Sequence, residues 1–157
     1  MCPTRWTVRA ASLDSVLENW EVLRELWSWS LETKLDPEVK SCIIGVRYQM
    51  ETFDYFFGVQ LGNLVLRHSD NVSKTIQKPT LSAGDCQSLA KSSLKMMEKL
   101  RMDDSFDLFW INLNSKAEKL EITPPKLPRK RRRPSRFDNG IAEHEFPTDV
   151  KTHYNFL

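Results

Sequence analysis

The strongest evidence for the fold lies in residues 39–65, which read VKSCIIGVRYQMETFDYFFGVQLGNLV. Apolar side chains recur here at intervals of three and four residues, which is the spacing of one face of an α-helix. They are Val39, Ile43, Val46, Met50, Phe53, Phe57, Leu61 and Leu64. Other apolar residues flank that face, so the helix is expected in the middle of a bundle. Gly45, Gly58 and Gly62 lie within it, and each costs about 1 kcal/mol relative to Ala, so we expect a neighbouring helix to approach closely there.

An amphipathic pattern before this segment predicts a first helix over residues 8–31. Its apolar face is formed by Leu13, Val16, Trp20, Leu23 and Trp27. We expect Trp20, Trp27 and Trp29 to pack mostly in the core, because buried aromatic side chains usually serve packing. Asp36-Pro37 then has the composition of a helix start, with an N-cap residue followed by proline at the first helical position.

The second half of the chain contains further helix signals. His68-Ser69-Asp70 interrupts the central pattern, so a short helix is predicted from Asp70 to Gln77. Ser82 to Asp85 matches a capping box, which precedes an amphipathic helix. Asp103 or Asp104 is expected to cap the last helix. Its apolar face is formed by Phe106, Phe109, Trp110, Leu113, Ala117 and Leu120. The whole pattern predicts an all-α bundle of about four long helices and one short helix.

The composition changes after Ile122, and this change predicts three parts of the chain. Residues 1–122 are expected to form the helical domain. Residues 123–146 are rich in proline and basic side chains, so they are predicted to be an extended linker. Residues 147–157 begin a further helix and stop within its pattern, so we interpret the chain as part of a longer protein.

The sharpest local feature is the basic segment, residues 126–136, which contains seven Lys and Arg residues and no Asp or Glu. A basic run framed by proline is typical of a nuclear import signal or a nucleic-acid-binding patch. We therefore predict a nuclear protein whose import receptor binds Arg129, Lys130, Arg131, Arg132 and Arg133. The same residues, with Arg136, are predicted to contact DNA. A charge run that only increases solubility is the remaining interpretation.

Arg5 and Trp6 form a second candidate site just before the first helix. An exposed Trp beside an Arg can stack on an unpaired base, because every base has a π-face and Arg supplies positive charge. The alternative is a Trp that packs against the bundle and anchors the entering chain.

Residue spacing argues against a metal site, a disulfide framework and a membrane span. The cysteines, Cys2, Cys42 and Cys86, are odd in number and widely spaced, so we expect reduced thiols in a reducing compartment. No apolar run approaches the ~18 residues of a membrane span. The histidines, His68, His144 and His153, fit no metal-ligand spacing. We therefore expect no metal and no cofactor.

The acidic residues do not predict an active site either. Asp103-Asp104 and Asp107 resemble a carboxylate cluster, but their place at a helix start is explained by capping and by the helix dipole. His68-Ser69-Asp70 contains the residue types of a catalytic triad. Adjacent positions cannot form triad geometry, which needs residues from separate elements. We therefore expect no enzyme activity from this chain.

Five short motifs occur in order along nearly the whole chain: CPTRWTVR (2–9), IGV (44–46), QMxTFD (49–54), SDNVSKTIQ (69–77) and LPRK (127–130). Together they resemble the hAT transposase-derived proteins, and in particular the zinc finger MYM-type 1 group. In that superfamily a long all-helical insertion interrupts a ribonuclease-H-like core, and this chain resembles the insertion. The resemblance implies that Trp6 handles the flipped base at a cut DNA end.

The resemblance also implies that the family's catalytic carboxylates lie outside this chain. Two aspartates precede the Arg-Trp motif in the family, and a glutamate follows the insertion. Three functions stay open: a non-catalytic nuclear scaffold that contacts DNA or protein, the insertion domain of an active DNA-cutting transposase, and a nuclear protein-interaction bundle that binds no nucleic acid. The sequence leaves the oligomeric state and the preferred DNA sequence open.

Overall fold

The computed structural model describes residues 9–80, 82–129 and 147–155. Helices account for 79% of these residues, and none of them lies in a β-strand. The prediction of an all-α fold is therefore confirmed. The chain divides into two compact units, Met1–Thr123 and Pro124–Leu157.

The first unit is built around one long helix. Its helices are α1 (Arg9–Glu18), α2 (Trp20–Glu32), α3 (Pro37–Met50), α4 (Phe53–Ile76), α5 (Ala83–Leu100) and α6 (Asp103–Lys119). Helix α4 contacts α1, α3, α5 and α6, while α2 pairs with α3. The second unit contains α7 (Val150–Asn155), which is preceded by Asp149, whose carboxylate accepts a hydrogen bond from the Thr152 N–H.

Aromatic side chains from α2, α4 and α6 form the core of the first unit. The ring centroids of Trp20 and Phe56 lie 5.2 Å apart in an edge-to-face arrangement. Phe57 and Phe109 meet in the same way at 5.9 Å. Such ring pairs contribute about 0.5–1.5 kcal/mol each beyond the burial of their area. Leu113 of α6 is also fully buried, so the predicted apolar face of the last helix is the one that packs.

Two predicted long helices are each divided by a break. Helices α1 and α2 meet at Asn19, whose side-chain N–H donates to the Ser15 carbonyl at 2.8 Å. An amide side chain that bonds nearby backbone in this way competes with regular helix geometry. Helices α3 and α4 are separated because the Thr52 hydroxyl accepts the Tyr55 N–H and caps a new helix.

The predicted short helix from Asp70 to Gln77 was wrong, since α4 continues without interruption to Ile76. Asp70 is buried within α4, and its carboxylate accepts the Ala10 N–H at 3.0 Å. The polar residues that suggested a break therefore include one that binds the first turn of α1.

Of the three predicted N-caps, at Asp36, at Ser82 and at Asp103 or Asp104, the first two were right. Asp36 caps α3 by accepting the Glu38 N–H, and Pro37 occupies the first turn. Ser82 and Asp85 form the predicted reciprocal capping box at α5. The prediction for α6 was wrong, because Met102 occupies the N-cap position and Asp103 is already helical. Asp103 and Asp104 instead lie in the first turn, where a negative charge interacts favourably with the helix dipole.

The predictions for the tryptophans and glycines were also partly wrong. Trp20 is 1% exposed, but Trp29 is 63% exposed and lies outside the core. A Cβ placed on Gly62 would lie 3.3 Å from Leu13 Cδ1, so α1 does approach closely there. No atom lies within 4 Å of a Cβ placed on Gly45 or Gly58, so those glycines serve no close approach.

Candidate functional site

The structure describes only the first part of the basic segment. Lys126 and Arg129 are exposed, and residues 124–129 adopt neither helix nor strand. The other predicted binding residues lie outside the described part of the chain: Arg5, Trp6, Lys130, Arg131, Arg132, Arg133 and Arg136. Their roles in DNA contact and nuclear import stay predictions.

The end of α6 forms a Schellman motif a few residues before the basic segment. The Ile122 N–H donates to the Ala117 carbonyl at 2.9 Å, and the Glu121 N–H donates to the Glu118 carbonyl. Glu121 has a φ of 54°, the left-handed conformation that this motif requires and that glycine usually provides. The motif ends the helix and turns the chain.

Hydrogen bonds from other helices hold the chain at this turn. Arg24 of α2 donates to the Leu120 carbonyl at 2.8 Å. The Thr123 hydroxyl and N–H both donate to the Glu51 carbonyl at the end of α3. The last residues of the first unit are therefore fixed in position.

A charged cleft of about 530 Å³ lies beside this turn. It is lined by Glu21, Arg24, Glu25, Ser28, Arg47, Glu51, Lys119, Leu120 and Glu121. Acidic and basic groups are nearly balanced, and Arg47 Nε lies 3.1 Å from Glu51 Oε1. Because the cations face nearby acids, this cleft offers no net positive field for a polyanion such as DNA.

A second, basic cleft of about 530 Å³ is formed by α4, α5 and α6. It is lined by Gln60, Asn63, Leu64, Arg67, His68, Leu100, Ser105, Phe109, Asn112, Leu113 and Lys116. No acid is among these lining residues. Arg67, however, is partly neutralised by Asp14, whose Oδ1 lies 2.6 Å from Arg67 Nη2. The basic side chains and side-chain amides suit an anionic or polar ligand.

Sequence reasoning missed the basic cleft, because its cations come from helices that are distant in the chain. A signal was present in α4, where Gln60, Asn63 and Arg67 are spaced by three and four residues. That spacing places them on one side of a helix that otherwise looks apolar. The contribution of Lys116 from α6 has no comparable signal in the sequence.

A polar network joins α1 to α4 beside this cleft. The Asn63 side chain donates to Asp14 Oδ1 at 2.7 Å and to the Ala10 carbonyl at 3.4 Å. The hydrogen bond from Asn63, followed by the bond and charge of Arg67, lowers the pKa of Asp14 below its usual value of 3.8. The pKa of Asp85 is also lowered, by its hydrogen bonds from Ser82. These carboxylates are held ionised, which suits anchoring roles.

The described residues bring no set of metal ligands together. No group of three or more His, Cys, Asp or Glu among them is arranged to hold a metal ion. His68 lies in α4 and His153 in α7 of the other unit. Cys42 and Cys86 are free thiols. These side chains therefore form no candidate metal centre within the part of the chain that the structure describes.

Comparisons with known proteins neither support nor contradict the family prediction. No protein-family model, curated protein or solved structure matches this chain. Within the described ranges, no helix combines the length and the apolar composition needed to cross a membrane. The resemblance to hAT transposase-derived proteins therefore rests on the ordered motifs and stays a prediction.

Proposed function

We propose that this chain is the helical part of a hAT transposase-derived protein and acts in the nucleus as a non-catalytic scaffold that contacts DNA. The observation that carries the proposal is the basic segment, in which seven cations occur within 11 residues without a single acid. The ordered motifs support the family, and the all-α fold is the one expected for the helical insertion.

The composition of the basic segment suits a phosphate backbone. Lysine and arginine side chains neutralise phosphates and release condensed counterions, so the affinity falls as the salt concentration rises. If all seven cations met phosphates, the slope of log K against log salt would reach about −6. The basic cleft adds Lys116, together with Arg67 that Asp14 partly neutralises, as a second and weaker basic surface within the first unit.

Binding to a DNA hairpin over a series of salt concentrations tests the proposal. Replacement of Arg129, Lys130, Arg131, Arg132 and Arg133 by Ala is expected to weaken binding and to reduce the salt slope by about four to five. A control chain loses five exposed cations elsewhere, namely Lys40, Lys74, Lys91, Lys95 and Lys99. If both chains lose affinity equally, the net charge rather than the basic segment explains binding.

The role of Trp6 is tested separately with hairpins that do or do not carry an unpaired base. Trp6→Ala is expected to weaken binding to the unpaired base by about 1–3 kcal/mol, because stacking on that base is lost. Binding to the fully paired hairpin is expected to change little. An equal loss of affinity for both hairpins would show that Trp6 stabilises the fold rather than stacking on the unpaired base.

A second candidate function, protein binding by the helical unit, is favoured by apolar side chains at its surface. Leu108 and Ile111 of α6 are each 65% exposed, and they are three residues apart on one side of the helix. If the chain binds no DNA hairpin at any salt concentration but still enters the nucleus, the result would favour protein binding over DNA contact.

A further inference from the structure

Helix α2 carries a second apolar stripe that does not face the core. Val22, Leu26 and Trp29 are 61%, 44% and 63% exposed, respectively. Their spacing of four and then three residues places them in one line, about 10 Å long at 1.5 Å per residue. Trp20, on the inward side, is 1% exposed. A helix with apolar side chains on two sides is typical of one that contacts neighbours on both.

The exposed stripe has a regular acidic edge. Glu25 and Glu32 of α2 are exposed and lie seven residues apart. In the heptad notation of coiled coils, Val22 and Trp29 take position d and Leu26 takes position a. Glu25 and Glu32 then take position g, which is where interhelical ion pairs form.

No cation balances this acidic edge within α2. Its only basic residue is Arg24, and that side chain donates to the Leu120 carbonyl on the side away from the stripe. The stripe and its edge, which we call the outer face of α2, therefore combine an apolar centre with an acidic edge. Glu25 of that edge also lines the charged cleft, which contains Arg47 and Lys119.

We propose that the outer face of α2 binds a helix of a partner protein, one with apolar residues at its own a and d positions and Lys or Arg along the facing edge. The apolar side chains, Trp29 above all, supply the contact, since exposed tryptophans commonly become the energetic centre of an interface. The glutamates select the partner, because complementary charge gives specificity and correct register.

A second copy of this chain is a poorer occupant than a basic helix. It would bring the same glutamates to the interface and no cation in α2 to meet them. Like charges that face each other across an interface oppose association. Charge therefore disfavours a dimer in which two copies of α2 face each other, and it favours a partner helix that carries cations.

Two synthetic helical peptides test this proposal on the whole 157-residue chain. They share leucine and isoleucine at positions a and d, and they differ only in carrying Lys or Glu at positions e and g. Fluorescence anisotropy of the labelled peptides is expected to show binding of the Lys peptide and at least tenfold weaker binding of the Glu peptide. Trp29→Ala is expected to lower the affinity for the Lys peptide by roughly tenfold or more.

Charge reversal separates this site from general attraction to acidic protein. The double variant Glu25→Lys and Glu32→Lys is expected to reverse the preference and bind the Glu peptide. The control variant, Glu98→Lys and Glu118→Lys, changes exposed acids on α5 and α6 and is expected to leave the preference unchanged. Circular dichroism verifies that each variant keeps its helix content.

Four results would overturn the proposal. They are equal binding of the two peptides, no binding of either, an equal effect of the control variant, and self-association of the chain that Trp29→Ala abolishes while the Lys peptide has no effect. The last result would assign the outer face of α2 to a second copy.

Discussion

Asp70 shows how one buried side chain sets the position of a distant helix. Its carboxylate accepts the Ala10 N–H at 3.0 Å across 60 residues of chain, and it is only 3% exposed. The first N–H groups of a helix have no partner within the helix, so a buried one must find its acceptor elsewhere. The negative charge of Asp70 also lies at the positive end of the α1 dipole.

Asp70→Ala is expected to lower the free energy of unfolding by about 1–3 kcal/mol, because the buried Ala10 N–H loses its acceptor. Asp70→Asn is expected to lose less, since an amide oxygen can still accept the bond. Urea unfolding followed by circular dichroism measures both variants. If both lose the same amount, charge at the helix dipole outweighs the hydrogen bond.

Asp14 makes the stability of the α1–α4 contact depend on pH. Its pKa in the folded chain lies below the usual 3.8, chiefly because Asn63 donates to it and then because of Arg67. A lowered pKa means that the stabilisation is present above pH 3.8 and is lost as the pH falls through the lowered pKa. The native chain is therefore expected to lose this contribution only in acid.

Urea unfolding of the native chain and of Asp14→Asn, between pH 2.5 and 6, tests this expectation. The native chain is expected to be more stable above about pH 4, and the difference is expected to shrink steadily below it. Glu98→Gln, which changes an exposed carboxylate on α5, is the control. A difference that stays constant down to pH 2.5 would contradict the role of ionised Asp14.

Two glycines of α4, Gly58 and Gly62, allow the effect of helix propensity on stability to be distinguished from the effect of helix packing. A Cβ on Gly58 meets no atom within 4 Å, whereas a Cβ on Gly62 lies 3.3 Å from Leu13 Cδ1. Gly58→Ala is expected to stabilise the chain by up to about 1 kcal/mol, because Ala has the higher helix propensity. Gly62→Ala is expected to gain less or to destabilise, since α1 must shift. Thermal unfolding compares the two, and equal gains would show that α1 yields without cost.

The sequence predicted helices well where the signal was local. The Ser82–Asp85 capping box and the Asp36-Pro37 start both depend on residues within one turn, and both are present. The breaks at Asn19 and Thr52 were missed because the apolar spacing of three and four residues continues across each of them. Periodicity reports which side is buried, and it is insensitive to a break that keeps the same side inward.

Features that depend on distant partners could not be predicted in the same way. The continuity of α4 through Asp70 depends on Ala10, and the basic cleft depends on Lys116 of α6 meeting Arg67 of α4. Exposure of Trp29 depends on how α2 lies against α3 and α4. Each of these features follows from packing between helices that are distant in the chain. The spacing of residues along one sequence does not show which helices will pack together.

In the chain as a whole, the packed aromatic core and the densest positive charge lie in different segments. Among the described residues, the aromatic side chains that pack in the first unit lie in residues 9–122, while the densest positive charge of the chain lies in residues 126–136. Because the two properties occupy different segments, changes in the basic segment are expected to leave the helical core intact. This separation allows targeting and binding to be tested without disturbing the fold.

A reporter fused to residues 123–140 tests nuclear import by the basic segment. The fusion is expected to accumulate in the nucleus, because a solvated run of Arg and Lys framed by proline matches an import address. Replacement of Arg129, Lys130, Arg131, Arg132 and Arg133 by Ala is expected to abolish the accumulation. A control fusion keeps these five residues and replaces Asp138, the single acidic residue of the fused segment, by Asn. A native fusion that stays in the cytoplasm would rule out import by this segment alone, and it would leave DNA contact or increased solubility as the role of the segment. Import without DNA affinity would favour a protein-binding bundle.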